Sequence, residues 1–227
     1  MSYVIPSWEL TSLPVVDSED RFPVRRIYCI GRNYAEHARE MGMDERDPPF
    51  FFMKPTDAIV QNGAKIPYPP QTKNYHYEGE LVVAIGGSAS NISVADANNC
   101  IYGYGVGLDM TRRDVQIAAR EMGRPWDMGK GFDNSAPCSE ILPATKIGHP
   151  EQGRIHLAVN GETKQDADIK DMIWNVPESI SYLSGLVTLE AGDLIMTGTP
   201  AGVGPVISGD TMVVSVEGVT ELTCTIA

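Results

Sequence analysis

Two glutamates separated by one glycine, Glu78-Gly79-Glu80, stand where a loop rich in Tyr, Asn and His runs into the apolar stretch Leu81-Val82-Val83-Ala84-Ile85. In an extended chain residues i and i+2 point to the same side, so the two carboxylates converge on one point. Like charges held together need a cation between them. A third carboxylate, Asp109, closes the run Tyr102-Gly103-Tyr104-Gly105-Val106-Gly107-Leu108. Three carboxylates with no Cys and no obvious His ligand favour a hard, oxygen-preferring ion, Mg²⁺, Mn²⁺ or Ca²⁺, over Zn²⁺. The same spacing also suits Glu78 and Glu80 on the solvent face of an edge strand, with Asp109 capping the helix that follows. Spacing alone leaves both arrangements open.

His37 and Glu40 are three apart in the segment Ala35-Glu36-His37-Ala38-Arg39-Glu40. On a helix they are neighbours on one face, and a carboxylate beside an imidazole fixes its tautomer and raises its basicity, as a water-activating base requires. Such pairs also occur on ordinary solvated helix surfaces. His76, just before the glutamate pair, has at most a supporting place, and His149 and His156 flank a loop containing Pro and Gly.

The elements that must position these groups are short. Apolar runs bounded by Gly, Asn or Pro predict strands at residues 26–30, 81–85, 102–108, 155–159 and 194–197. Helical spacing falls on residues 34–41, 111–122 and 177–185, the last with Pro177 at a tolerated first-turn position. Residues 42–49 carry Gly, Asp and Pro and read as a lid or a fixed loop. Asn160-Gly161 is a hairpin-turn signal, and two period-2 runs over residues 211–226 meet at Glu217-Gly218. Strands outnumber helices without alternating regularly with them, which points to an α+β, β-rich fold rather than a doubly wound sheet.

With 227 residues the chain can bury one substantial core. Its formal charge is −12 and no Lys/Arg run is long enough to follow a phosphate backbone, so nucleic acid is an unsuitable partner. An acidic chain that takes an anionic substrate must gather cations locally at the site. Cys29, Cys100, Cys138 and Cys224 lack C-x-x-C spacing and read as reduced thiols of a cytoplasmic protein. No stretch approaches the roughly 20 apolar residues of a membrane span, nor a signal-peptide core.

Taken in order, Gly31-Arg32-Asn33-Tyr34 with His37 and Glu40, then Glu78-Gly79-Glu80, then Leu108-Asp109-Met110-Thr111 with Arg113-Asp114-Val115-Gln116, then Lys130, then Thr197-Gly198-Thr199-Pro200 with Gly202-Val203-Gly204, resemble the fumarylacetoacetate hydrolase family. The likeness runs from Arg25 to the end and is strongest to the compact acylpyruvase and fumarylpyruvate hydrolase branch. Pro6, Pro14 and Pro23 break any period in residues 1–23, which read as an extended arm, and residues 24–227 read as a single catalytic domain. The resemblance implies a mixed β-sandwich roll with short peripheral helices and a homodimer. It implies that Glu78, Glu80 and Asp109 hold a divalent ion, Mg²⁺ first, with Mn²⁺ or Ca²⁺ as alternatives. It further implies that His37 and Glu40 handle water, that Lys130 stabilises developing enolate charge, and that Arg32, Arg113, Gln116 and Thr199 line the substrate pocket.

The activity implied is hydrolysis of a carbon–carbon bond in a 2,4-dioxo acid, an acylpyruvate, with fumarylpyruvate giving fumarate and pyruvate. Oxaloacetate decarboxylation, or isomerisation or hydration of a related 2-oxo acid, is the alternative, since each passes through related enolate chemistry. A non-catalytic binding protein on the same fold would be marked by loss of a metal ligand or of the water-handling pair, and neither is missing. Arg112 departs from the small or apolar residue common in relatives. Its guanidinium suits the distal carboxylate of a dicarboxylic substrate, but adjacent helical positions diverge by about 100°, so solvent or a partner subunit suits it equally.

Overall fold

The computed structural model describes residues 2–34 and 47–227. The pair His37 and Glu40, most of the helix expected at 34–41 and most of the lid segment lie outside the described residues. In chain order the strands are β1 Ser12–Pro14, β2 Arg21–Pro23, β3 Arg26–Gly31, β4 Phe50–Lys54, β5 Ile59–Gln61, β6 Lys65–Ile66, β7 Tyr75–Tyr77, β8 Gly79–Ile85 and β9 Ile101–Leu108. They continue as β10 Thr111–Arg112, β11 Ala136–Cys138, β12 Leu142–Pro143, β13 Arg154–Val159, β14 Glu162–Asp168, β15 Asp193–Met196, β16 Gly204–Pro205, β17 Thr211–Val216 and β18 Glu221–Ile226. The α-helices are α1 Arg113–Glu121, α2 Asp127–Lys130, α3 Ala144–Ile147 and α4 Val176–Leu186.

The large mixed sheet runs β4-β3-β15-β8-β9-β11-β5, and β12 adds to β9. Only residues 55–58 join β4 to β5, the two ends of that order, so the sheet must curl until its edges approach. Strand alternation then divides its side chains. Ile27, Cys29, Val82, Ala84, Leu194 and Met196 share one core cluster, into which β1 and β2 insert Leu13 and Phe22. Tyr28, Ile30, Leu81, Val83, Ile85 and Ile195 face the other way. There they meet Leu157, Val214 and Leu222 of a second sheet, ordered β14-β13-β17-β18-β6, and Ile180 and Leu183 of α4. This is the strand-rich roll with few short helices that the resemblance implies.

Two hairpins follow from local chemistry. Asn160 and Gly161 both take positive φ, 51° and 81°, between β13 and β14, as a two-residue turn with matching twist requires. Gly218 supplies φ 75° between β17 and β18. Helix α4 opens on Asn175, whose side chain accepts from Glu178 N while Glu178 answers with its carboxylate, and Pro177 lies in the first turn.

The helix expected from residue 111 begins at Arg113 instead. Thr111 and Arg112 pair with His76 and Tyr75 of β7 as a short strand, and tertiary pairing overrides their helical spacing. Within the first 23 residues, β1 and β2 pair antiparallel and Ile141 N donates to Pro14 O, while residues 2–10 precede the first strand and are exposed. No described helix is long and apolar enough to cross a membrane.

Candidate active site

β8 is a central strand, hydrogen-bonded to β15 on one side and β9 on the other, with all seven residues buried. Its start, where Gly79 pairs with Leu108, therefore lies beside the end of β9. That register delivers Asp109 next to Glu78 and Glu80, with Asp109 N donating to Glu78 O at 2.8 Å. One carboxylate oxygen from each of the three residues lies within 4.8 Å of the others, and all three residues are buried. The edge-strand arrangement left open by spacing is excluded by this position. Nor does Asp109 cap α1, whose N-cap residue is Arg112 without a side-chain bond.

Cations surround the carboxylates. Lys130, at the end of α2, donates from Nζ to Glu78 Oε2 at 2.7 Å and to Asp109 Oδ2 at 2.6 Å. Arg113 pairs with Glu78 Oε1 through Nη2 and holds Gln116 Oε1 through Nη1 at 2.6 Å. Lys54 Nζ, fully sealed from solvent, lies 2.8 Å from Asp109 Oδ1 and donates to the carbonyls of Met110 and Lys130. Lys54 was missed in the sequence. Its one local signal is a lysine ending the run Phe50-Phe51-Phe52-Met53, on a strand position opposite the buried Ile27.

Burial pushes the Glu78 carboxyl up, but Lys130 and Arg113 together outweigh it and hold it below the usual carboxylate range. Glu80 goes the other way: burial first, then the charges of Asp109 and Glu78, push it well above that range. Its Oε2 accepts from Gly198 N at 2.7 Å, and among the described residues no cation pairs with it. Burial would also lower Lys130, yet Asp109 and Glu78 raise it, so its ammonium stays charged.

The turn Thr197-Gly198-Thr199 is built for this contact. Gly198 has φ 92°, a backbone conformation that suits glycine, and a Cβ there would lie 2.7 Å from Cβ of Asn33. Gln165, the one buried residue of the edge strand β14, accepts from Gly79 N at 2.9 Å and donates to Thr199 Oγ1 and Pro200 O, both at 2.8 Å. Thr199 in turn donates to Gly79 O. Gln165 too escaped sequence reading, because its partners are distant in the chain.

Glu78, Glu80, Asp109, Lys130 and Thr199 floor a pocket lined also by Arg32, Phe52, Gln116, Ile117, Arg120 and Trp126. Arg113, Gln116, Ile117 and Arg120 follow the i, i+3, i+4, i+7 rule, so one face of α1 forms a wall. Arg32 sits in the left-handed region at φ 60°, with its guanidinium 5.4 Å from the Phe50 ring centroid and 6.0 Å from that of Trp126. His76 stays neutral, pushed down to about 4 by burial and then by Arg113, and its Nε2 meets Asn74 Oδ1 at 2.7 Å. Arg112 does not line the pocket. Its guanidinium stacks 4.2 Å from the centroid of Phe132 and reaches Met128 O.

The residues therefore fit a divalent ion on their own chemistry: three convergent hard-oxygen donors, one of them, Glu80, buried without a paired cation among the described residues. Residues 26–227 match the family model described as fumarylacetoacetate (FAA) hydrolase, C-terminal. The chain is 50% identical over 177 residues to fumarylpyruvate hydrolase of Ralstonia sp, covering 78% of this chain and 92% of that one. It is 41% identical over 199 residues to the mitochondrial oxaloacetate tautomerase of Homo sapiens, covering 88% and 90%. The crystal structure of fumarylpyruvate hydrolase from Pseudomonas aeruginosa in complex with Mn²⁺ and pyruvate superposes with a TM-score of 0.96 at 50% identity, covering 100% of this chain and 99% of that one. Family match, identity and superposition agree, and the chain belongs to the fumarylacetoacetate hydrolase family.

Proposed function

We propose that the chain hydrolyses the carbon–carbon bond of an acylpyruvate, fumarylpyruvate foremost, giving fumarate and pyruvate. The observation that carries this is the floor of the pocket, where Glu78, Glu80 and Asp109 converge around Lys130 beneath a wall of arginines. Similarity to the fumarylpyruvate hydrolases supports the substrate.

Glu78, Glu80 and Asp109 would hold the ion, Mg²⁺ or Mn²⁺. When bound, it supplies Lewis-acid polarisation of the 2-oxo acid end of the substrate. Arg113 and Gln116, tied to each other, would orient the substrate carboxylate. His37, oriented by Glu40, would take a proton from the water that attacks the C4 carbonyl. As the C3–C4 bond breaks, its electron pair passes to the three-carbon fragment as an enolate, whose charge Lys130 would meet at Nζ. Protonation at C3 then gives pyruvate.

A second reading, tautomerisation of oxaloacetate, is favoured by the tautomerase relatives. It uses the same enolate-stabilising floor and no attacking water. The two are separated by following the absorbance of enolised fumarylpyruvate with Mg²⁺ or Mn²⁺ and identifying products. Stoichiometric pyruvate and fumarate, abolished by His37→Ala, is the expected result. Loss of the enol signal without any release of pyruvate would overturn hydrolysis.

A further inference from the structure

We propose that Arg120, with Arg32 beside it, reads a carboxylate at the far end of the substrate and so selects dicarboxylic over monocarboxylic 2-oxo acids. The inference rests on the proposed reading only in placing the 2-oxo acid end of the substrate at the carboxylate floor. It reassigns the part that the sequence offered to Arg112, which packs on Phe132 away from the pocket.

Helix geometry sets the spacing of these groups. Arg113, bound to Glu78, marks the floor end of α1, and Arg120 lies on the same face two turns later. Seven residues of helix span about 10 Å, the scale of an extended six- or seven-carbon diacid with its carboxylate oxygens. Gln116 and Ile117 line the interval. Phe52, with its ring centroid 5.0 Å from Lys130 Nζ, and Trp126 also wall the pocket, and Arg32 is held over the Phe50 and Trp126 rings.

Charge supports the assignment. Arg120 makes no ion pair with any described carboxylate, although it lines the same pocket as three acids and lies at its mouth. Burial and then the charge of Arg120 lower the Arg32 guanidinium from its ordinary value, so the two cations press on one another. In a chain of net charge −12, the Arg120 guanidinium at the mouth of this pocket is a local cation for an anionic substrate end. A terminal carboxylate accepts from Arg120 in the fork geometry that arginine presents.

The test compares Arg120→Leu, Arg120→Lys and a control, Arg124→Leu, which removes the same charge outside the pocket lining. Calorimetry on the Mn²⁺-loaded protein measures 2-oxoadipate against 2-oxohexanoate, which has the same chain length without the distal carboxylate. Kinetics measure fumarylpyruvate against acetylpyruvate.

Wild type is expected to bind 2-oxoadipate more tightly. Arg120→Leu should weaken that binding, and raise KM for fumarylpyruvate, about tenfold or more, while leaving 2-oxohexanoate and acetylpyruvate within about twofold. Arg120→Lys should recover part of the loss and Arg124→Leu should cause none. Equal losses for both members of a pair, no loss, or no wild-type preference for 2-oxoadipate would overturn the assignment. A wild type that hydrolyses neither acylpyruvate yet shows the selective binding loss would remove the hydrolase reading and leave Arg120 in place.

Discussion

Lys54 Nζ lies 2.8 Å from Asp109 Oδ1 with both side chains sealed from solvent, so one carboxylate of the candidate metal cluster carries its own buried counter-charge. The same ammonium bonds the carbonyl of Lys130, tying the cluster to the residue that bridges Glu78 and Asp109. Lys54→Met is expected to destabilise the metal-free protein by about 3–5 kcal/mol, because it removes one partner of a buried ion pair and leaves Asp109 with Lys130 alone. Urea unfolding checks this, and a change below about 1 kcal/mol would mean that water replaces the lysine.

Glu80 makes metal binding visible without turnover. Excess Mn²⁺ should raise the melting temperature of chelator-treated protein, with about 2.7 kcal/mol of added stability when the ion stands at 100 times its dissociation constant. Glu80→Gln removes the carboxylate that lacks a paired cation, and with it one ligand. Its melting temperature should respond little to Mn²⁺; an undiminished response would place the ion elsewhere.

Gly198→Ala tests the turn behind Glu80. The new methyl must occupy φ near 92° and press on Asn33, whose amide is already committed to Trp174 and Thr197. A loss of about 1–3 kcal/mol, together with weaker Mn²⁺ binding through the displaced Gly198 N–H, is expected. If stability drops while calorimetric Mn²⁺ affinity stays at the wild-type value, the turn does not position Glu80.

Burial pushes the Cys138 thiol up to about 12 and the Cys224 thiol up to about 11, against roughly 8.5 in an unfolded chain. The folded state thus keeps protons that the unfolded state releases. Their contribution is complete below about pH 8.5 and is lost as pH rises toward 11–12. Denaturant midpoints should fall above pH 9, and both thiols should react with Ellman's reagent only as the protein unfolds. Rapid labelling of the native protein at pH 8 would contradict this.

Arg112→Ala should cost about 1 kcal/mol of stability through the lost stacking on Phe132. The ratio of kcat/KM for fumarylpyruvate to that for acetylpyruvate should stay constant. A selective loss for fumarylpyruvate would return Arg112 to the substrate.

What the sequence determined by itself was local or cumulative. Period-2 spacing placed Glu78 and Glu80 on one side of a strand, Asn160-Gly161 and Gly218 set two hairpins, and five ordered motifs identified the family. Only the tertiary structure made β8 central and decided that Glu78 and Glu80 are buried ligand candidates rather than solvated edge residues. Strand order is a long-range property that no window of sequence contains. It likewise began the helix at Arg113, sending Arg112 to Phe132 and aligning Arg120 with Arg113. Lys54 and Gln165 reach the site across about 55 and 86 residues of chain, respectively, from Asp109 and Gly79. Their roles depend on the curl of the large sheet and on β14 lying along its flank, because burial and partner choice are fixed by packing and not by spacing.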